Sequence, residues 1–193
     1  EPTILGQVTL SDTERFTLAA ENIDQTFQID VSFPMGYKAT SEDYPVVYLL
    51  DGNFMFPVVD YNLKSLHLGA EIPAIILVAI GYEVENELES MVVRTRDLTP
   101  SIDAVQAEIM WNAPPPFTLP ENISPGGAGE FLEFINNELK PVINSRYRAD
   151  PTDQTLAGYS FGGLFSLFTL FNHPNSFDRY VIGSPSIWWH DQV

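Results

Sequence analysis

The stretch from Gly158 to Gly162 reads Gly-Tyr-Ser-Phe-Gly and places one serine between two closely spaced glycines. A serine hydroxyl is a poor nucleophile until a base takes its proton, so the setting of the serine decides whether it can react. In this pattern a strand turns sharply into a helix and holds the serine in a strained conformation at the apex. The pattern predicts that Ser160 is a catalytic nucleophile. A plain turn that merely contains a serine is the alternative interpretation.

The segments on either side of Ser160 fit the turn that the pattern requires. Residues 155–157 form a short apolar run that predicts a strand, and residues 163–171 are apolar nearly all round, which predicts a buried helix. The N-terminus of that helix would point at Ser160, where its amide groups and dipole favour negative charge. This context favours the nucleophile over the plain turn.

Two main-chain amides are predicted to stabilise an oxyanion beside Ser160. The first is the N–H of Phe161, the residue after the nucleophile. The second is expected in the loop after an earlier strand, where Asp51 and Gly52 precede Asn53, and we predict the N–H of Asn53. Losing one such donor typically slows a reaction about a hundredfold or more. A simple turn is the alternative interpretation of Asp51 and Gly52.

The remaining pattern predicts the elements that position these residues. Apolar runs at 46–50, 75–80, 155–157 and 180–182 indicate strands of a parallel sheet that is covered on both faces. Alternating apolar and polar residues at 26–33 indicate an antiparallel pair near the N-terminus. Apolar residues at helical spacing predict a helix over about 129–147, kinked at Pro141. The order of elements predicts one α/β domain over residues 1–193, with a mostly parallel central sheet and antiparallel N-terminal strands.

Residues from about 82 to 127 interrupt this alternation of strands and helices. They show no clear period, contain several prolines and glycines, and keep apolar residues such as Trp111 and Phe117. Connections of this length in compact domains are usually functional or mobile. We predict a lid-like excursion over the C-terminal ends of the strands, where open α/β sheets bind ligands. A disordered surface insertion is the alternative.

Composition excludes several classes of protein. The net charge is −17 with only nine lysines and arginines, which argues against binding to nucleic acid or to anionic membranes. No apolar run is long enough to span a bilayer. The chain has no cysteine, so it has neither disulfides nor cysteine-ligated metals. No signal peptide is visible, and the sequence does not decide between a cytoplasmic and a periplasmic location, or between oligomeric states.

Two groups of residues could bind a substrate or could instead be structural. Arg94 and Arg96 lie near Asp97, so either Arg94 or Arg96 binds a substrate anion, or the three residues form a structural ion pair that holds the excursion to the sheet. Trp188 and Trp189 follow the last predicted strand. They form either an aromatic wall for an acyl or catechol group or a part of the core.

These motifs together resemble the putative-esterase family of α/β-hydrolases, which includes esterase D, the mycolyltransferases, and the enterobactin and salmochelin esterases. The matching stretches lie at 45–52, 94–100, 131–147, 156–164 and 182–189, and their order is that of the family. The likeness is greatest to siderophore-esterase-like members. The resemblance implies an α/β-hydrolase fold and hydrolysis of a small-molecule carboxylic ester through an acyl-enzyme on Ser160, without metal or organic cofactor.

The sequence departs from the family in its acid and its base. In such hydrolases the acid and the histidine follow the serine on later strands, whereas this chain ends at Val193. We therefore expect a C-terminally incomplete domain that lacks its last strands; the alternative is a catalytically inactive α/β-hydrolase-fold binding module. His67 is expected on a surface helix and His173 at the end of the helix after Ser160. His190 follows the strand next to Ser160 and is a candidate for a base.

Overall fold

A computed structural model describes residues 3, 6, 8–85, 87–115, 118 and 123–191. The strands in this part of the chain are β1 (Thr13–Ala19), β2 (Thr26–Ser32), β3 (Tyr44–Leu49), β4 (Ile76–Tyr82), β5 (Ala149–Tyr159) and β6 (Arg179–Gly183). The helices are α1 (Gly52–Leu68), α2 (Glu87–Leu98), α3 (Ala104–Trp111), α4 (Ala128–Phe134), α5 (Lys140–Arg146) and α6 (Phe161–Asn172).

The described strands form one mixed sheet in the order β1-β2-β4-β3-β5-β6. Strands β4, β3, β5 and β6 run parallel, while β1 and β2 are an antiparallel hairpin joined to β4. The predicted α/β class, with a mostly parallel sheet and antiparallel N-terminal strands, is confirmed. Because β3 and β5 are parallel neighbours, the loops that follow them leave the sheet at the same edge, which brings Asp51 close to Ser160.

Alternating residues of the central strands divide the core into two layers. Tyr48 of β3 and the following Leu50 join a large aromatic cluster, whereas Leu49 faces a smaller cluster against α1. Strand β2 presents Phe27, Ile29 and Val31 to the aromatic side, joined by the following Phe33, and polar side chains to the α1 side. Helices α2, α4 and α6 cover the aromatic side. This two-sided burial explains the continuous apolar runs of the sequence.

The region from 82 to 127 contains two helices that its sequence pattern did not predict. Helix α2 packs against α4 and α6, and its Leu98 belongs to the main core. Helix α3 exposes Val105 and Ile109, and its first turn is capped by the carboxylate of Asp103. Phe117 and its neighbours at 116 and 119–122 lie outside the described residues. The lid-like role of this region remains a prediction.

The predicted helix over 129–147 is continuous but irregular. One turn of π-helix, Ile135–Leu139, separates α4 from α5. The irregularity precedes Pro141, which has no N–H to donate back into that turn. A proline within a helix therefore changes the local winding here without ending the helix. Among the described residues, none of the helices combines the length and the apolar character that crossing a membrane requires.

Lys140, at the start of α5, is buried against the aromatic side of the core. Its ammonium donates to the carbonyl oxygen of Ser176 and stands 3.7 Å from the centroid of the Phe177 ring. Burial lowers the pKa of Lys140 to about 8, although the charge of Asp178 opposes that change. Between about pH 8 and pH 10 the unfolded chain, with an ordinary lysine, therefore binds more protons than the folded one.

We predict that this difference makes the free energy of unfolding rise with pH in that window, because stability rises wherever the unfolded state binds more protons. Below about pH 8 both states carry the proton, and the folded protein bears the full cost of the buried ammonium. Lys140→Met should reduce the rise in the free energy of unfolding between pH 7.5 and 9.5 by about 2 kcal/mol, measured by urea unfolding. Lys38→Met, at an exposed position, is the control and should leave the rise unchanged. An unchanged rise in Lys140→Met would contradict the prediction.

Candidate active site

Ser160 occupies a sharp turn between the last residue of β5, Tyr159, and the first residue of α6, Phe161. Its backbone has φ 59° and ψ −116°, a conformation that residues with a side chain rarely adopt. Such strain costs on the order of 1–3 kcal/mol and persists only where the surrounding structure imposes it. The strand, the turn and the helix that the sequence pattern predicted are all present, and the serine stands at the apex.

The glycines around Ser160 allow β5, α6 and β6 to approach one another closely. A Cβ atom on Gly158 would lie 2.2 Å from the carbonyl oxygen of Gly162. A Cβ on Gly163 would lie 2.7 Å from the carbonyl oxygen of Gly183, at the end of β6. Both contacts are with backbone atoms, so a larger residue at either position would push the elements apart. The glycines are therefore required by packing around the turn.

The loop after β6 is bonded directly to Ser160. The N–H of Ser160 donates to the carbonyl of Gly183 at 3.0 Å, and the N–H of Ser186 donates to the carbonyl of Ser160 at 3.1 Å. The side-chain oxygens of Ser160 and Ser186 are 3.2 Å apart. Sequence reasoning missed Ser186. Its place in the chain could have identified it, because the turn 183–186 directly follows the strand that neighbours β5 in the sheet.

The two predicted oxyanion donors both lie in the first turn of a helix. Phe161 is the first residue of α6 and Asn53 the second of α1, where N–H groups have no acceptor within the helix. The side chain of Asn53 donates to the carbonyl of Tyr82 at 3.0 Å and accepts from its N–H at 2.8 Å, which fixes the start of α1 against β4. Helices α1 and α6 begin at the ends of neighbouring parallel strands. This placement supports the two donors, which remain a prediction.

Asp51 links the turn at Ser160 to the start of α1. The sequence indicated only a turn residue at this position. Arg94 of α2 donates from Nε to one carboxylate oxygen of Asp51 at 2.5 Å and from Nη2 to the other at 2.7 Å. The exposed fractions of the Arg94 and Asp51 side chains are 7% and 12%. The same guanidinium lies 5.2 Å from the centroid of the Phe161 ring, within cation–π range. A Cβ on Gly162 would come within 3.2 Å of the Asp51 carboxylate.

The predicted cluster of Arg94, Arg96 and Asp97 is thus divided between two pairs. Arg96 donates to the neighbouring carboxylate of Asp97 at 2.7 Å, while Arg94 reaches across to Asp51. Burial raises the pKa of Asp97, and the hydrogen bond from Arg96 acts against that rise. Since both oxygens of Asp51 are engaged by Arg94, the structure favours the ion-pair interpretation of Arg94 over the substrate contact.

The two tryptophans after β6 have different environments. Trp188 is 55% exposed, and its ring centroid lies 5.7 Å from that of Phe161. Trp189 is completely buried, meets the Phe161 ring edge-on and donates from Nε1 to the carbonyl of Ser101 at 3.1 Å. The burial of Trp189 favours the core interpretation and leaves its indole no free surface for a substrate. Trp188 remains a candidate for an aromatic wall beside Ser160.

The three histidines occupy α1, the end of α6 and the segment after β6. His67 is in the last turn of α1, and His173 caps the C-terminus of α6, as the sequence predicted. The Nδ1 of His190 lies 2.8 Å from the hydroxyl of Ser101. None of these imidazoles is hydrogen-bonded to Ser160 in the part of the chain that the structure describes. The structure therefore gives no support to His190 as the base.

Comparisons with known proteins agree with this geometry. A family model described as putative esterase matches residues 20–192. The chain is 36% identical over 186 residues to the ferri-bacillibactin esterase BesA of Bacillus subtilis, covering 94% of this chain and 61% of the relative. It is 36% identical over 179 residues to the siderophore enterobactin esterase of Emericella nidulans, covering 88% of this chain and 56% of that relative. The chain thus spans about three-fifths of the length of the curated relatives it matches.

Solved structures show the same likeness. The BES protein from Bacillus cereus superposes with a TM-score of 0.81 at 34% identity, covering 100% of this chain and 68% of the other. The siderophore hydrolase EstB from Aspergillus nidulans has a TM-score of 0.77 at 31% identity, covering 97% of this chain and 62% of the other. The fold, the turn at Ser160 and the extent of the family match lead to one conclusion: the chain belongs to the putative-esterase family of α/β-hydrolases.

Proposed function

We propose that this protein is a serine carboxylic-ester hydrolase that acts through an acyl-enzyme on Ser160. The observation that carries the proposal is the backbone of Ser160, at φ 59° and ψ −116° between β5 and α6. Backbone strain of this kind is concentrated at functional sites, because it does not stabilise the fold. A half-buried serine on such a turn, at the N-terminus of a helix, is the arrangement that nucleophilic acyl transfer requires.

In the proposed reaction the Oγ of Ser160 attacks the ester carbonyl carbon while a base takes the hydroxyl proton. The carbonyl oxygen becomes an oxyanion that the N–H groups of Phe161 and Asn53 would stabilise. Collapse breaks the carbon–oxygen bond of the ester, and the alcohol leaves with the proton. Water then hydrolyses the acyl-enzyme to a carboxylic acid and restores the Ser160 hydroxyl.

The proposed substrates are bulky esters of the siderophore type. The relatives that share most of this chain are named for ferri-bacillibactin, enterobactin and triacetylfusarinine C. The exposed Trp188 beside Phe161 offers a flat apolar surface near Ser160 on which an aromatic acyl group could stack. An aliphatic acyl group would gain less from such a surface, since stacking adds to simple burial.

A second candidate is a binding module that keeps the fold without the chemistry. The observation in its favour is that, in the described part of the chain, none of the imidazoles of His67, His173 and His190 is hydrogen-bonded to the Ser160 hydroxyl. Without a base the hydroxyl would stay weakly nucleophilic. The two candidates differ in one measurable property, the reactivity of Ser160 itself.

Labelling with a fluorophosphonate probe separates these candidates. An activated Ser160 forms a bond from Oγ to phosphorus as fluoride leaves and the hydroxyl proton passes to the base. We expect stoichiometric labelling of the purified protein, located at Ser160 by peptide mass mapping. Ser166→Ala, which removes another serine near the turn, should label like the wild type, and Ser160→Ala should not label. Absence of labelling at Ser160 in folded protein would favour the binding module.

A further inference from the structure

The hydroxyl of Ser186 lies against the nucleophile although it was not among the predicted site residues. Ser186 is 4% exposed, and its Oγ is 3.2 Å from the Oγ of Ser160. Its main chain is bonded to the same residue, because the Ser186 N–H donates to the Ser160 carbonyl at 3.1 Å. Both the side chain and the backbone of Ser186 therefore contact Ser160.

The loop that carries Ser186 is held in place independently of its hydroxyl. The N–H of Trp189 donates to the carbonyl of Ser186 at 3.1 Å, and Trp189 is itself buried. On the other side, Gly183 accepts from the N–H of Ser160 at 3.0 Å. Pro185 lies close to Gly163, since a Cβ atom on Gly163 would be 3.0 Å from the Cα of Pro185. Removing the hydroxyl of Ser186 should therefore leave the loop where it is.

We infer that Ser186 is a positioning residue whose hydroxyl donates a hydrogen bond to the Oγ of Ser160. A serine oxygen can accept one such bond and still offer its own proton to a base, since a hydroxyl has one donor and two acceptor sites. The bond selects one of the three side-chain rotamers of Ser160 and keeps its Oγ fixed before attack. It also favours negative charge on that oxygen as the proton departs. This inference rests on the proposed function, because a fixed hydroxyl matters only if Ser160 reacts.

The test compares Ser186→Ala and Ser186→Cys with the wild type in two assays, fluorophosphonate labelling and p-nitrophenyl acetate hydrolysis. The cysteine nearly keeps the volume and is a weak donor, so it covers the case in which the alanine variant folds poorly. We expect both variants to lose about tenfold in kcat, the loss that one net hydrogen bond of this kind implies. The rate constant for labelling should fall by the same factor, with KM within twofold of the wild type.

Ser166→Ala is the matched control, because it removes a buried hydroxyl from α6 that bonds to Gly162 and not to Ser160. It should keep the wild-type rates. If the wild type is labelled and both Ser186 variants keep its kcat and labelling rate, the inference is wrong and the proposed function stands. A raised KM at unchanged kcat would also overturn it, since that result indicates a substrate contact. If the wild type itself is not labelled, the proposed function is wrong, and the inference about Ser186 is wrong with it.

Discussion

Ser160→Ala is expected to lower the catalysed rate of ester hydrolysis on the order of 10⁵-fold or more, as the loss of a nucleophile does in other serine hydrolases. The physical reason is that no acyl-enzyme can form without an oxygen at the apex of the turn. The measurement is steady-state hydrolysis of p-nitrophenyl acetate, followed by hydrolysis of a siderophore ester. Folding should be retained, because the main-chain bonds of residue 160 to Gly183 and Ser186 do not involve the hydroxyl.

Ser160→Gly provides the control for strain at the same position. It should be as inactive as Ser160→Ala but more stable by about 1 kcal/mol, since glycine adopts positive φ without steric cost. Urea unfolding of both variants measures the difference. An alanine variant that retains a tenth of the wild-type rate would place the nucleophile elsewhere. A glycine variant no more stable than the alanine one would show that the φ of 59° stores little strain.

Much of this fold can be predicted from the sequence because buried parallel strands carry an unmistakable pattern. The runs at 46–50 and 75–80 are apolar on both faces because the core lies on both sides of β3 and β4. Helix α2 was not predicted, because among its described side chains Leu98 alone is buried in the main core and Val93 packs partly against it, while its arginines bond to carboxylates. Apolar periodicity in a sequence indicates a helix face that is buried against a core. It therefore does not predict a helix that is held in place by polar contacts.

The candidate site, like the fold, can be predicted only in part from the sequence. The position of Ser160 follows from local geometry, because the glycines of its motif are needed wherever a strand turns this tightly into a helix. The roles of Asp51 and Ser186 depend on which strands are neighbours, and the sheet order β4-β3-β5-β6 differs from the order along the chain. A pair such as Asp51 and Arg94, 43 positions apart, has no signal in a single sequence. Contacts of that range require the topology to be known.

Arg94→Met is expected to lower the free energy of unfolding by about 3–5 kcal/mol, because it removes one partner of a buried ion pair and leaves the other charge uncompensated. The carboxylate of Asp51 would lose both of its bonds to Arg94 while it remains 12% exposed. Chemical denaturation with urea measures the loss. Activity should also fall, because Asp51 sits between the turn at Ser160 and the start of α1, and its displacement moves the Asn53 amide relative to that of Phe161.

Two further variants separate the ion pair from a substrate contact. Arg179→Met breaks a surface pair with Asp153, with exposed fractions of 61% and 25%, and should leave the free energy of unfolding close to that of the wild type, because exposed ion pairs contribute little. Adding Asp51→Asn to Arg94→Met removes the stranded charge and should recover a good part of the lost stability, since the cost lies in that charge. If Arg94→Met instead unfolds like the wild type and raises only KM, then Arg94 grips the substrate. The bidentate bond to Asp51 would in that case be a resting contact that the substrate displaces.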